Sequence, residues 1–168
     1  MIAIEKFADH AAVPVDRIEM TFDARCRSRF RITSVQGREC GVFLERGTVL
    51  RGGDKLLADD GSVFEVIAAR ESLMEAISAD PLLITKAAYH LGNRHVAVHL
   101  LPGRLRFSAD AVLGAMVHGL GLEVIAVDAA FEPESGAYGS HGGHAHPHGH
   151  SSDGEGRGPR IHDHFHGQ

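Results

Sequence analysis

The stretch Asp80-Pro-Leu-Leu-Ile-Thr-Lys-Ala-Ala-Tyr-His-Leu-Gly92 decides the fold of the second half of the chain. Asp80 is an N-cap residue, and Pro81 follows at the first helical position, where a missing N–H costs nothing. Ile84, Ala87, Ala88 and Leu91 recur at helical spacing before Gly92, so the spacing predicts one amphipathic helix with both ends marked. Downstream, Val96-Ala-Val-His-Leu-Leu101 and Arg104-Leu-Arg-Phe107 flank the turn pair Pro102-Gly103 and read as an antiparallel hairpin. Ser108 is expected to cap a second helix with apolar positions at Val112, Leu113, Met116, Val117 and Leu120. Gly121 stops that helix ahead of a strand from Leu122 to Val127. With a first strand near Glu71 to Ile77, the order is β-α-β-β-α-β, the ferredoxin-like split βαβ arrangement with both helices on one face of a four-stranded sheet. Such a fold names no function.

Upstream, residues 1–70 hold short alternating runs: Ile18-Glu-Met-Thr21, Arg29-Phe-Arg-Ile-Thr33, Glu39-Cys-Gly-Val-Phe-Leu44, Lys55-Leu-Leu57 and Val63-Phe-Glu-Val-Ile67. They predict a small β domain with almost no helix before residue 80, in which Gly52-Gly53 and Asp60-Gly61 supply tight turns. From Gly139 to Gln168 the only large apolar side chains are Ile161 and Phe165, too few to offset the entropy of ordering, so disorder is expected. The fold class is therefore α+β: a β domain over 1–70, a ferredoxin-like domain over 71–138 and a His-rich tail over 139–168.

Composition excludes several kinds of function. Of 168 residues, 17 are basic and 22 acidic, a net charge of −5, and with no Trp and 6% aromatics the chain offers neither a phosphate-binding footprint nor a base-stacking platform. No nucleic-acid partner is expected. The first ten residues lack the basic and apolar regions of a secretory signal, and the most apolar stretch, Ala111 to Phe131, is broken by His118, Glu123 and Asp128. A cytoplasmic protein without a membrane partner is expected. Cys26 and Cys40 show no CxxC spacing and read as reduced packing residues. No GxxxxGK[ST] loop, HExxH helix or GxSxG elbow occurs, and Glu132 and Glu134 flank Pro133 on a loop, a poor setting for paired-carboxylate catalysis. The chain is not read as an enzyme.

Histidine is the outlier: 13 in all, eight of them in the tail at His141, His144, His146, His148, His150, His162, His164 and His166. Neutral imidazole is a borderline ligand suited to nickel, zinc, copper and cobalt, and alternation with Gly, Ala and Pro lets neighbouring rings reach one ion without a rigid scaffold. The tail is thus read as metal-binding, with Asp163 as a minor carboxylate ligand. In the second domain, His95 stands between the helix stop and the next strand. One histidine is a poor metal site, whereas two copies facing each other across a two-fold axis are a better one; a plain surface histidine is the other reading. His90 fits helix-end electrostatics, His99 a solvent-facing strand position and His118 an exposed helix face. Arg25, Arg27, Arg29 and Arg31 recur every second residue, so on one strand all four guanidinia would share a face, either meeting an acidic partner or solvated beside local acids.

Tyr89-His-Leu-Gly-Asn-Arg-His95, Leu101-Pro-Gly-Arg-Leu-Arg106 and Phe131-Glu-Pro-Glu-Ser-Gly-Ala-Tyr138 ahead of a His-rich end resemble the UreE family of urease accessory nickel chaperones. The resemblance spans the second domain and the tail. The first domain agrees in position and β character with the family's N-terminal domain, which is similar to the peptide-binding domain of a heat-shock co-chaperone. The resemblance implies a cytoplasmic homodimer that carries nickel to apo-urease together with the GTPase UreG and other accessory proteins. It also implies that His95 of each subunit shares a metal at the dimer interface, with tail histidines completing the shell. Some members carry further metal-binding histidines just after the second hairpin strand; here that segment is Ser108-Ala-Asp-Ala111, so a peripheral site in the folded domain is not expected. The competing reading is a His-rich nickel or zinc store without a delivery partner, which needs only the tail.

Overall fold

The structure is a computed structural model that describes residues 1–135; the tail histidines and the expected disorder of 139–168 lie outside the described residues. Two domains follow one another, each built on its own sheet. The first sheet contains β1 (Ile2–Phe7), β2 (Asp16–Met20), β3 (Arg29–Thr33), β4 (Glu39–Phe43), β5 (Lys55–Ala58) and β6 (Val63–Ala68), in the order β2-β6-β5-β1-β4-β3. Period-two alternation explains its strands: in β2, Ile18 and Met20 face inward while Arg17 and Glu19 face water. Ile4, Val42, Leu50, Leu56, Phe64 and Val66 complete a fully buried core. Strand β1 lies mid-sheet, parallel to β4 and antiparallel to β5. Of the glycines expected to make turns, Gly53 and Gly61 adopt positive φ. Gly52 is needed for a different reason, because a Cβ there would lie 2.9 Å from Glu132 Oε1.

The expectation that four arginines share one strand is not met. Thr21 caps a single helical turn, α1 (Phe22–Arg25), which takes Arg25 out of the strand and turns it inward. Arg27 pairs with Asp23 on the surface, and only Arg29 and Arg31 share β3. A capping Thr followed by residues that can wind one turn overrides the alternation of side-chain type.

The second sheet contains β7 (Arg70–Ile77), β8 (His99–Leu101), β9 (Arg104–Ser108) and β10 (Glu123–Ala130), in the order β10-β7-β9-β8 with every neighbouring pair antiparallel. Two helices, α2 (Pro81–Gly92) and α3 (Ala111–Gly119), pack on it around Ala76, Ala87, Leu91, Leu105, Phe107, Val117 and Leu122. Asp80 caps α2 as the sequence predicts, accepting from Leu82 N–H at 2.8 Å. The cap of α3 is Asp110, accepting from Leu113 N–H at 2.8 Å, and not Ser108, which is the last residue of β9 and is paired with Leu73. Gly114 lets α3 lie against β7, since a Cβ there would stand 2.5 Å from Met74 Sδ. On the opposite face, buried Glu75 is gripped by Arg106 at 2.6 Å and Arg104 at 3.5 Å.

Strand β6 ends at Ala68 and β7 begins at Arg70, so one residue separates the sheets. The junction is held by Arg25, whose side chain is fully buried. Its Nη1 donates to Glu132 Oε1 at 2.9 Å and to Leu50 O at 3.2 Å, and its Nη2 donates to Phe131 O. Glu71 accepts from Phe22 N–H at 2.7 Å, and the rings of Phe22 and Phe131 meet edge to face at 5.6 Å. His99 Nδ1 receives Glu132 N–H at 3.3 Å. Burial, reinforced by the nearby Arg106 charge and opposed by Glu132 and Glu134, holds this imidazole below its ordinary value.

Two outcomes are expected. Arg25→Ala strands the Glu132 carboxylate and two carbonyls at the junction, so urea unfolding should show a loss of about 3 kcal/mol or more. Neutral His99 belongs to the folded state, so its contribution is complete above the unfolded value of about 6.5 and is lost as pH falls from there through the lowered folded value. Stability followed between about pH 7.5 and about pH 5 should therefore decline less steeply in His99→Asn, whose amide oxygen can still receive Glu132 N–H.

Candidate metal site

Helix α2 ends in a doubly hydrogen-bonded close that creates the setting of His95. Val96 N–H donates to Leu91 O at 3.1 Å and His95 N–H to Gly92 O at 2.9 Å, the pattern of a Schellman motif in which the penultimate residue must turn left-handed. That residue is His95, at φ +55°, the one non-glycine residue with positive φ among the described residues. Glycine normally fills this position because a Cβ there crowds the following carbonyl. The left-handed bend lifts the imidazole off the helix end into solvent, where it is exposed. Arg94 folds back to donate to His90 O at 2.9 Å, and the exposed Tyr89 ring stacks edge to face on His90 at 5.4 Å. The segment is thus held by backbone bonds and a side-chain brace while the His95 ring itself stays unencumbered.

Among the described residues, no group of three or more His, Cys, Asp or Glu side chains gathers where it could hold a metal ion. His95 presents one imidazole per chain. Its neighbours in sequence are otherwise engaged. His90 lies in the last turn of α2, as the helix-end reading expects. His99 is not the solvent-facing residue expected from the alternation of β8; it is half-buried, with its ring 6.4 Å from that of Phe131, because residues 131–134 run back across the strand. His118 is exposed, with Nδ1 3.3 Å from Leu122 O. Asp110 spends its carboxylate on the cap of α3, which takes one oxygen from metal binding in that segment.

The cysteines divide. Cys40 is a buried packing residue as expected, whereas Cys26 is exposed, because the turn of α1 places it at the surface. Desolvation pushes both thiols up, away from the lowered range of reactive thiolates. His141, His144, His146, His148, His150, His162, His164 and His166, with Asp163, lie outside the described residues. Two residues that organise the site's surroundings, Arg25 and Arg51, were not legible as such. Their common partner Glu132 lies 107 residues from Arg25 and 81 from Arg51, and no local pattern links positions so far apart.

The sequence matches the UreE urease accessory protein N-terminal domain over residues 3–69 and the UreE urease accessory protein C-terminal domain over residues 71–166. It is 56% identical to the urease accessory protein UreE of Dechloromonas aromatica (strain RCB) over 136 residues, covering 78% of this chain and 77% of that protein. The corresponding protein of Teredinibacter turnerae is 51% identical over 129 residues, 77% of this chain and 84% of the relative. That of Citrobacter koseri is 43% identical over 152 residues, 87% of this chain and 100% of the relative. Matches to both domain descriptions in order, and identity at this level over most of each chain, mean that the chain belongs to the UreE family of urease accessory proteins.

Proposed function

We propose that this protein is a nickel-binding metallochaperone that works as a homodimer in urease maturation. Its cargo is captured by tail histidines and held between the His95 side chains of two subunits. The observation that carries the reading is His95 itself: an exposed imidazole kept at a left-handed position where glycine would be cheaper by about 1 kcal/mol, outside any cluster of three or more ligand side chains among the described residues. Strain of that kind persists where surrounding contacts over-determine it, and here the two backbone bonds of the helix end do so. A second copy related by a two-fold axis supplies the same residue, and the tail the remaining nitrogens. Few, exposed imidazole ligands form a shell that exchanges readily, which suits delivery better than a closed thiolate cage.

The family to which the chain belongs supports apo-urease and the GTPase UreG as partners, with nucleotide chemistry belonging to the GTPase and none to this chain. Nickel is the favoured cargo; zinc, copper and cobalt are alternatives that imidazole chemistry admits. A cytoplasmic location is proposed, and no helix among the described residues is long and apolar enough to cross a membrane. We divide the chain into a partner-binding β domain (1–70), a ferredoxin-like metal and dimerisation domain (71–138) and a metal-binding tail (139–168); the strand order β10-β7-β9-β8 supports the ferredoxin-like label. A histidine-rich store would need only the tail and would have no use for a strained histidine on the folded domain.

Nickel titration calorimetry on the full chain, on a full-length variant with all eight tail histidines replaced by serine, and on that variant carrying His95→Ala tests the reading. One site per dimer that survives loss of the tail histidines and vanishes with His95→Ala is expected; loss of all binding with the tail histidines would favour the store. Affinity should fall from about pH 8 to about pH 5.5 as protons compete for imidazole nitrogen. His95→Gly is expected to lose the same site while gaining up to about 1 kcal/mol of folding stability in urea, separating the ligand role from a structural one.

A further inference from the structure

Residues 131–135, which lead into the tail, are held from both sides. On one side, the Glu132 carboxylate receives Arg25 Nη1 at 2.9 Å, Gly52 N–H at 2.8 Å and Arg51 Nη1 at 3.4 Å. Arg51 continues along the segment, donating from Nη1 to Pro133 O at 2.6 Å and from Nη2 to Ser135 Oγ at 2.7 Å. On the other side, Glu132 N–H reaches His99 Nδ1 and Glu134 N–H donates to Val98 O at 2.8 Å. Phe131 anchors the start of the segment, almost wholly buried.

This clamp changes where the tail begins. Strand β10, which ends at Ala130, and β8 are opposite edges of the four-stranded sheet, so they stand about 14 Å apart at the usual strand spacing. Residues 131–134 carry the chain from the β10 edge to the β8 edge, and Val98, which receives Glu134 N–H, is three residues from His95. His141 is six residues beyond Ser135, so the connection from the clamp to it can span at most about 22 Å. Rooted at Val98, the chain leaves the described fold three residues from His95; rooted at Ala130, it would leave from the opposite edge of the sheet. Shortening the distance a tether must bridge raises its effective concentration at the site without any new contact.

We infer that Arg25 and Arg51 are positioning residues that root the tail beside the strand leading from His95, so that tail histidines are concentrated at the interfacial metal site. The inference rests on the metallochaperone reading. Arg51 is the residue to test, because its side chain is partly exposed whereas Arg25 is buried in the fold.

Arg51→Gln is made in the full chain and in the full-length variant with eight tail serines, and Ni2+ affinity is measured for all four proteins, with His95→Ala as reference. Arg51→Gln should weaken the His95-dependent site about three- to tenfold when the tail histidines are present and leave it unchanged when they are serine. Equal weakening in both backgrounds, or none in either, would overturn the inference while leaving the His95 site standing. Absence of any His95-dependent site would overturn the metallochaperone reading itself. Hydrogen exchange without metal gives a second readout: the Glu134 amide should exchange faster in Arg51→Gln while amides of β7 and β9 do not change, and unchanged Glu134 exchange would overturn the clamp.

Discussion

A single fully buried guanidinium joins the two halves of this molecule. Arg25 has no water to solvate it, so its charge requires acceptors from whatever packs around it. It finds them in Leu50 O of its own domain and in Phe131 O and Glu132 of the segment beyond β10. Removing a partner from such a group is costly, so an electrostatic demand helps to specify the relation between the two sheets, together with the Phe22–Phe131 ring contact and the Arg51 and Gly52 hydrogen bonds. The single turn of α1 exists in service of that demand, since it redirects Arg25 from the surface to the interior.

The clamp and His95 sit on two sides of one short piece of chain. The helix end at Gly92 to Val96 fixes the His95 backbone, and the next residues, Val98 and His99, receive hydrogen bonds from the segment leading to the tail. The left-handed turn at His95 is held by backbone bonds that substitution of the side chain leaves in place. The His95 imidazole is therefore held at a fixed helix end while remaining open to solvent.

The two domains differ in how their geometry is secured. The second domain draws on local signals, with capping carboxylates at Asp80 and Asp110 and a glycine at 114 that admits close helix packing. The first is a sheet whose central strand β1 pairs with β4 and β5, elements far along the chain. Non-local pairing of this kind leaves little trace in a short window of sequence, which is why the strand Ile2–Phe7 carries no local signal while the alternation of Arg29–Thr33 matches β3.

Local signals suffice for most strands of the first domain, the two helices of the second, the outlying histidine content and the placement of His95 after a helix stop. Periodicity, capping residues and turn pairs act over a few residues and can be read directly. Long-range contacts make Arg25 the junction's buried charge, leave His99 half-buried instead of solvent-facing, and turn Glu132 from a loop carboxylate into a clamp. Each of those depends on a partner 25 or more residues away, and chain alternation carries no information about which distant acceptor a side chain will meet. His95 belongs to both accounts: its position after a helix stop is legible in the sequence, but its left-handed backbone follows only from the hydrogen bonds that close the helix end.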